Sequence, residues 1–90
     1  MKNSKEFLTA VKYSSKLKQT PLNDELLNLY GYYKQAHMGD INISQPTMLN
    51  IKGRQKWNAW NSKKGLTNYD SEVEYIKLVN SLIQKYGINQ

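Results

Sequence analysis

Apolar residues recur three and four positions apart along nearly the whole chain and never alternate for long, which predicts helices and no strands. Phe7, Ala10, Val11 and Ser14 mark one face of a first helix, and Asn3 followed by Glu6 predicts a capping box at its start. Gln19-Thr20-Pro21 predicts the second start: Thr20 caps, and Pro21 fits a first turn where its missing N–H costs nothing. Leu22, Leu26, Leu29, Tyr33 and Ala36 then read as a core-facing stripe that Gly39-Asp40 ends. Residues 40 to 50, with Pro46, form a long connection. A third helix, roughly Ile51 to Lys63, carries Trp57 and Trp60 on one face and stops at Gly65. Thr67 followed by Asp70 opens a fourth, with Val73, Ile76, Val79, Ile83 and Tyr86 inward and Gly87 as its stop.

Four amphipathic helices in 90 residues predict an all-α bundle around one small core, with Trp57 and Trp60 as large anchors. Short links between helices 1 and 2, and between 3 and 4, favour antiparallel neighbours. The longer link between 2 and 3 can carry the chain back along the bundle. Periodicity leaves the order of the helices open.

Composition removes several kinds of chemistry. With no cysteine there is no disulfide framework, no thiol nucleophile and no Cys-based zinc site. His37 is the one histidine, too few for a Ser-His-Asp set or a metal site, and reads as structural or exposed. Asp40 after Gly39 reads as turn chemistry, and Gly31, Gly39 and Gly53 stand apart rather than in a phosphate loop. A binding protein, not an enzyme, is expected. No apolar run suits a signal peptide or a membrane span, Lys2 excludes N-myristoylation, and Gly87-Ile88-Asn89-Gln90 is no prenylation or retention signal. The expectation is a cytoplasmic protein.

The net charge of +6 attracts polyanions: nucleic acid, an anionic membrane face or a phosphorylated small molecule. Arg54 is the one arginine among thirteen basic residues, which disfavours the reading of guanine edges. The densest chemistry lies in Tyr30-Gly31-Tyr32-Tyr33-Lys34. On a helix Tyr30, Tyr33 and Lys34 share a face, and two phenols with an ammonium suit a ligand that has a flat ring and phosphates. The same tyrosines could instead be half-buried packing residues, and Lys56 beside Trp57 could be a surface lysine lying along an indole.

The run Leu29-Tyr30-Gly31-Tyr32-Tyr33-Lys34-Gln35-Ala36, then Gly39-Asp40, Pro46 and Lys56-Trp57-Asn58-Ala59-Trp60-Asn61, closely resembles the acyl-CoA-binding protein family, from about Phe7 to Gly87. The resemblance implies one acyl-CoA-binding domain over residues 1–90, folded as a four-helix up-down-down-up bundle. It also implies high affinity for medium- to long-chain acyl-CoA esters, with the protein as an intracellular carrier and pool former. In the family's terms the ligand-binding residues are Tyr30, Gly31, Tyr32, Tyr33, Lys34, Lys56 and Tyr75, with Lys16 weaker. Tyr33 would stack on adenine, Lys34 and Lys56 would hold the 3′-phosphate with the Tyr30 hydroxyl, and Tyr75 would meet the ribose-phosphate side.

No cofactor and no metal are implied, since acyl-CoA is the ligand. The implied partners are long-chain acyl-CoA, enzymes that consume it and, transiently, anionic membranes; nucleic acid is not among them, and the state is monomeric. Three positions depart from the family pattern: Leu22 and His37 stand where small residues are usual, and Ser15 where many members place a basic residue. Lys16 and Lys12 lie about 100° and 60° around the helix from that position. Two rival readings remain, a basic helical nucleic-acid binder and a domain whose tyrosine face meets a peptide.

Overall fold

The computed structural model describes residues 3–89. It contains four helices, α1 (Lys5–Ser14), α2 (Asn23–Met38), α3 (Ile51–Asn61) and α4 (Asn68–Tyr86). Among the described residues the extended pairing is limited to one antiparallel bridge, Leu17 with Ile88, closed by Lys18 N–H to the Gly87 carbonyl at 3.0 Å and Asn89 N–H to the Lys16 carbonyl at 2.8 Å. No described helix is long and apolar enough to cross a membrane. The readings that rest on Lys2 and Gln90 lie outside the described residues.

Helix boundaries follow local hydrogen bonds. Thr67 caps α4 as predicted, its hydroxyl accepting from the Asp70 N–H at 2.9 Å. The α1 cap is Ser4 rather than Asn3: Ser4 Oγ accepts from the Phe7 N–H at 3.1 Å. Asn3 is drawn away instead, its amide donating to Glu72 Oε2 at 2.7 Å and to the Ala36 carbonyl at 3.0 Å. The second helix starts later than Thr20-Pro21 predicted. Leu22 is its extended cap residue, and the Leu22 N–H donates to Glu25 Oε1 at 2.9 Å. Gly39 and Gly87 end α2 and α4 at φ 81° and 79°, values that favour a residue without a Cβ. The third helix ends at Asn61, short of Lys63, and continues as turns to Gly65.

Contacts at the helix ends give the topology. The start of α1 meets the start of α4 (Ser4 N–H to Glu72 Oε2, 3.2 Å), and the residues after each helix pair at Leu17–Ile88, so α1 and α4 run in the same sense. Glu25, early in α2, bonds to Lys85 and Tyr86 late in α4, while the Ala36 carbonyl accepts from Asn68 at 2.8 Å; α2 therefore runs against α4. Lys56 stands beside Tyr30 and Trp60 beside Lys34, so α3 follows the sense of α2. The order is up-down-down-up. The short link 15–22 does not make α1 and α2 packed neighbours: α1 packs on α4, and α2 on α4 and α3.

Phe7, Ala10, Leu29, Ala36, Tyr75, Val79 and Leu82 form the core, and Trp60 is buried beside it. Three parts of the sequence reading are corrected here. Leu22 and Leu26 are 64% and 40% exposed, because α1 leaves that side of α2 uncovered. On α4 the inward line is Tyr75, Val79 and Leu82; Ile76, Ile83 and Tyr86 flank it half-buried, as expected of a helix with partners on two sides, and Val73 is likewise half-buried. Trp57 is half-buried, and its indole N–H donates to the Ile43 carbonyl at 2.8 Å. With Trp60 N–H to the Gly39 carbonyl (2.8 Å) and Arg54 to the Pro46 carbonyl (2.9 Å), it pins the long connection onto α3.

Buried polar groups fasten the ends. Gln35, fully buried, donates to Asp40 Oδ1 at 2.8 Å and to the Leu66 carbonyl at 2.9 Å, tying α2 to the turn before α4. Burial pushes the Glu72 carboxyl up, but hydrogen bonds from Asn3 and Ser4 outweigh it and hold the group below its ordinary value.

Candidate ligand-binding site

The uncovered side of α2 is the place to look for a ligand. Each helical residue turns the face by about 100°, so Leu26, Tyr30, Tyr33 and His37, spaced 4, 3 and 4 apart, share it, with Lys34 at its α3 edge. On α1 the corresponding edge carries Leu8, 56% exposed, and half-buried Val11, because Ala10 and Tyr13 turn toward α4. The result is an open groove between two helices whose backbones do not pack.

At the α3 edge cations and rings alternate. Lys56 Nζ lies 5.5 Å from the centre of the Tyr30 ring, and Lys34 Nζ lies 4.8 Å from that of Trp60. Neither ammonium is in an ion pair among the described residues, and Lys34 also reaches Met38 Sδ at 3.1 Å. The two charges are thus held by ring faces and left free to meet an anion. Deeper in, Tyr33 belongs to a ring cluster. Phe7 lies near-parallel to it at 6.1 Å and 24°, His37 at 5.7 Å and 12°, and Tyr75 is tilted at 6.3 Å.

The structure therefore gathers Tyr30, Tyr33, Lys34 and Lys56 on one face, sets Tyr75 behind Tyr33 in the core and places Gly31, Tyr32 and Lys16 elsewhere. Gly31 is buried against α3, where an added Cβ would stand 2.6 Å from the Ala59 carbonyl oxygen; its part is to let the two backbones approach. Tyr32 points to the opposite side, with Lys63 Nζ 4.1 Å above its ring. Burial lowers the Lys63 ammonium's pKa, and Asn28 Oδ1 accepts from it at 2.9 Å. Tyr75 is 3% exposed, its hydroxyl donating to Ser14 Oγ at 3.2 Å; burial raises its pKa, the Ser14 bond works against this, and Tyr33 adds to the rise. Lys16 lines a separate cleft with Tyr13, Ile83, Ile88 and Asn89, near the bridge between the α1–α2 link and the C-terminal segment.

Two features escaped the sequence reading. One is the place of His37 in the ring cluster, whose spacing of four from Tyr33 was the available signal. The other is a cleft of about 420 Å³ between α2 and α3, lined by Asp24, Leu27, Asn28, Gln55, Asn58 and Ala59. Its lining includes Asn28, the partner of Lys63, which puts it on the Tyr32–Lys63 flank of the α2–α3 contact. No group of three or more His, Cys, Asp or Glu among the described residues could hold a metal ion.

The sequence profile of the acyl CoA binding protein family matches residues 4–79. The chain belongs to that family. A relative from the genus Hypsibius, named for acyl-CoA binding, is 42% identical over 88 residues, 98% of this chain and 99% of the relative. Acyl-CoA-binding protein homolog 1 of Caenorhabditis elegans is 49% identical over 71 residues, 79% of this chain and 83% of that protein. The crystal structure of Oryza sativa Acyl-CoA-Binding Protein 2 superposes with a TM-score of 0.86 at 34% identity, covering 89% of this chain and 87% of the other. The open face of α2 is thus a feature of a chain in the acyl-CoA-binding protein family.

Proposed function

We propose that this chain, as one acyl-CoA-binding domain, binds medium- to long-chain acyl-CoA esters with high affinity. It serves as a cytoplasmic carrier and pool former and has no catalytic role. The observation that supports this most is the pairing of free cations with ring faces, Lys56 on Tyr30 and Lys34 on Trp60, along the α3 edge of the open face of α2. Coenzyme A brings an adenine and roughly four negative charges on its phosphates. Lys34 and Lys56 would hold the 3′-phosphate together with the Tyr30 hydroxyl, and the Tyr33 ring cluster would receive the base. Gly31, Tyr32 and Tyr75 would support the site from behind, the buried Tyr75 through the Tyr33 ring rather than by direct contact with the ribose-phosphate side, and Lys16 or Lys12 would add distant positive charge. The acyl tail would leave past Tyr30 along the exposed Leu26.

Magnitudes divide the work between the two halves of the ligand. A buried methylene is worth about 0.8 kcal/mol, so a dozen of them gross roughly 10 kcal/mol before ordering costs. A charge-assisted hydrogen bond nets about 1.5–3 kcal/mol. The tail sets affinity, and the nucleotide selects CoA esters over free fatty acids. As a monomer the protein would hand its cargo to acyl-CoA-consuming enzymes and touch anionic membranes in passing.

Calorimetry with a sixteen-carbon acyl-CoA, free CoA and the matching fatty acid tests the reading. One-to-one binding of the ester, with both fragments far weaker, is expected. Equal affinity for ester and free CoA would refute it, and heat with nucleic acid alone would favour the basic-surface alternative.

A further inference from the structure

The Tyr33 ring has two near-parallel neighbours. Phe7, 1% exposed, lies near-parallel to it at 6.1 Å and 24°, and the exposed His37 lies near-parallel to it at 5.7 Å and 12°. A purine that reaches the Tyr33 ring therefore meets the imidazole beside it. The imidazole is not loose, because its Nδ1 sits 3.2 Å from Asn3 Oδ1. The amide nitrogen of Asn3 is committed to two acceptors, Glu72 Oε2 and the Ala36 carbonyl, so its oxygen is the atom that faces the ring. His37 Nδ1 therefore carries the proton and donates. That tether joins the ring to α2 and α4 through the residue just before the α1 cap.

We propose that His37 is the nucleobase-contacting residue of this site: the imidazole prolongs the Phe7–Tyr33 stack outward, and the adenine of the bound ligand lies on it. The proposal rests on the acyl-CoA reading above and adds a contact that the family pattern, with a small residue at this position, does not supply. A flat sp² ring that is fixed in orientation before binding offers a purine a stacking face without first having to be ordered. In the same site Lys34, one helical turn from Met38 and three residues from His37, remains free for the phosphate, so base and phosphate are held by different residues of one turn.

The test compares wild type with His37→Ala and His37→Phe by calorimetry, using one acyl chain carried on CoA and on pantetheine, which lacks the nucleotide. NMR of the adenine H2 and H8 protons follows the base itself. Loss of the stacking face should weaken the CoA ester on the order of tenfold in His37→Ala, while His37→Phe stays within a few-fold of wild type. The acyl-pantetheine should bind all three alike, and the upfield ring-current shift of H2 and H8 should shrink only in His37→Ala. Wild-type affinity for the CoA ester in His37→Ala, with unchanged adenine shifts, would overturn the proposal and leave the acyl-CoA reading intact. An equal loss for acyl-pantetheine would also overturn it, by showing that His37 supports the fold and not the base. If wild type binds neither ester, both readings fall together.

Discussion

The Lys56 ammonium stands 5.5 Å from the centre of the Tyr30 ring, across the gap between α3 and α2. The pair is made by two helices that run in the same sense and approach closely because Gly31, one residue on, has no side chain. The cation–ring pair of the candidate site and the backbone packing are therefore coupled at neighbouring positions of α2.

Lys34→Ala should weaken binding of a long-chain acyl-CoA by about tenfold or more, the loss of one charge-assisted contact to phosphate. Folding should change little, because Lys34 rests on the Trp60 ring and on Met38 Sδ and supports no buried network. Calorimetry and a urea melt together check this. An unchanged dissociation constant would remove Lys34 from the site.

Gly31→Ala sets two effects against each other. Alanine gains about 1 kcal/mol of helix propensity over glycine, but its Cβ would meet the Ala59 carbonyl oxygen, a backbone atom that yields only if α3 moves. Overpacking of this kind costs about 1–3 kcal/mol, so a net destabilisation is expected. Displacing α3 also separates Lys56 from Tyr30, and affinity for the CoA ester should fall with stability. A variant more stable than wild type in urea would show that the two backbones are not in close contact.

Much of the fold was legible because the signals were local. Thr67 with Asp70, Gly39 and Gly87 are set by hydrogen bonds and dihedral angles within a few residues, and the structure has them where the sequence put them. Asn3 read as the α1 cap because local spacing does not show Glu72, distant in sequence, which claims the Asn3 amide and leaves the cap to Ser4. Leu22 and Leu26 read as core because helical spacing records a shared face but not what covers it. Only the packing of α1 on α4 shows that this face of α2 is open. The same blindness hid His37: a ring four residues from Tyr33 looks incidental until the two are found near-parallel.

Acid should loosen the junction of α2 with α4. Bonds from Tyr86, Lys85 and the Leu22 N–H hold the Glu25 carboxyl down to about 2, against an ordinary value of 4.5. A depressed carboxylate contributes stability that is fully present above about 4.5 and lost as pH falls toward 2. Glu72, and Asp40 through the Gly65 N–H and the Gln35 amide, are also lowered and act with the same sign. The melting temperature should therefore fall across that window. Glu25→Gln should melt lower at neutral pH and decline less steeply in acid. Parallel acid limbs for the two proteins would mean that Glu25 is not the group responsible.

The exposed leucines separate tail binding from folding. Leu26 is 40% exposed and lies one turn before Tyr30, where the acyl chain would leave the nucleotide end of the site. Replacing a buried core leucine would cost stability; replacing one that a ligand covers would not. Leu26→Asn should thus melt within about 0.5 kcal/mol of wild type, the range of surface substitutions away from special features. Its affinity for a sixteen-carbon ester should drop several-fold, since covering part of a leucine is worth on the order of 1 kcal/mol. An ester too short to reach Leu26 should lose much less. Calorimetry across a series of chain lengths reads the difference directly. A uniform loss at every length would place Leu26 against the nucleotide instead, and no loss at any length would take the tail off this face of α2.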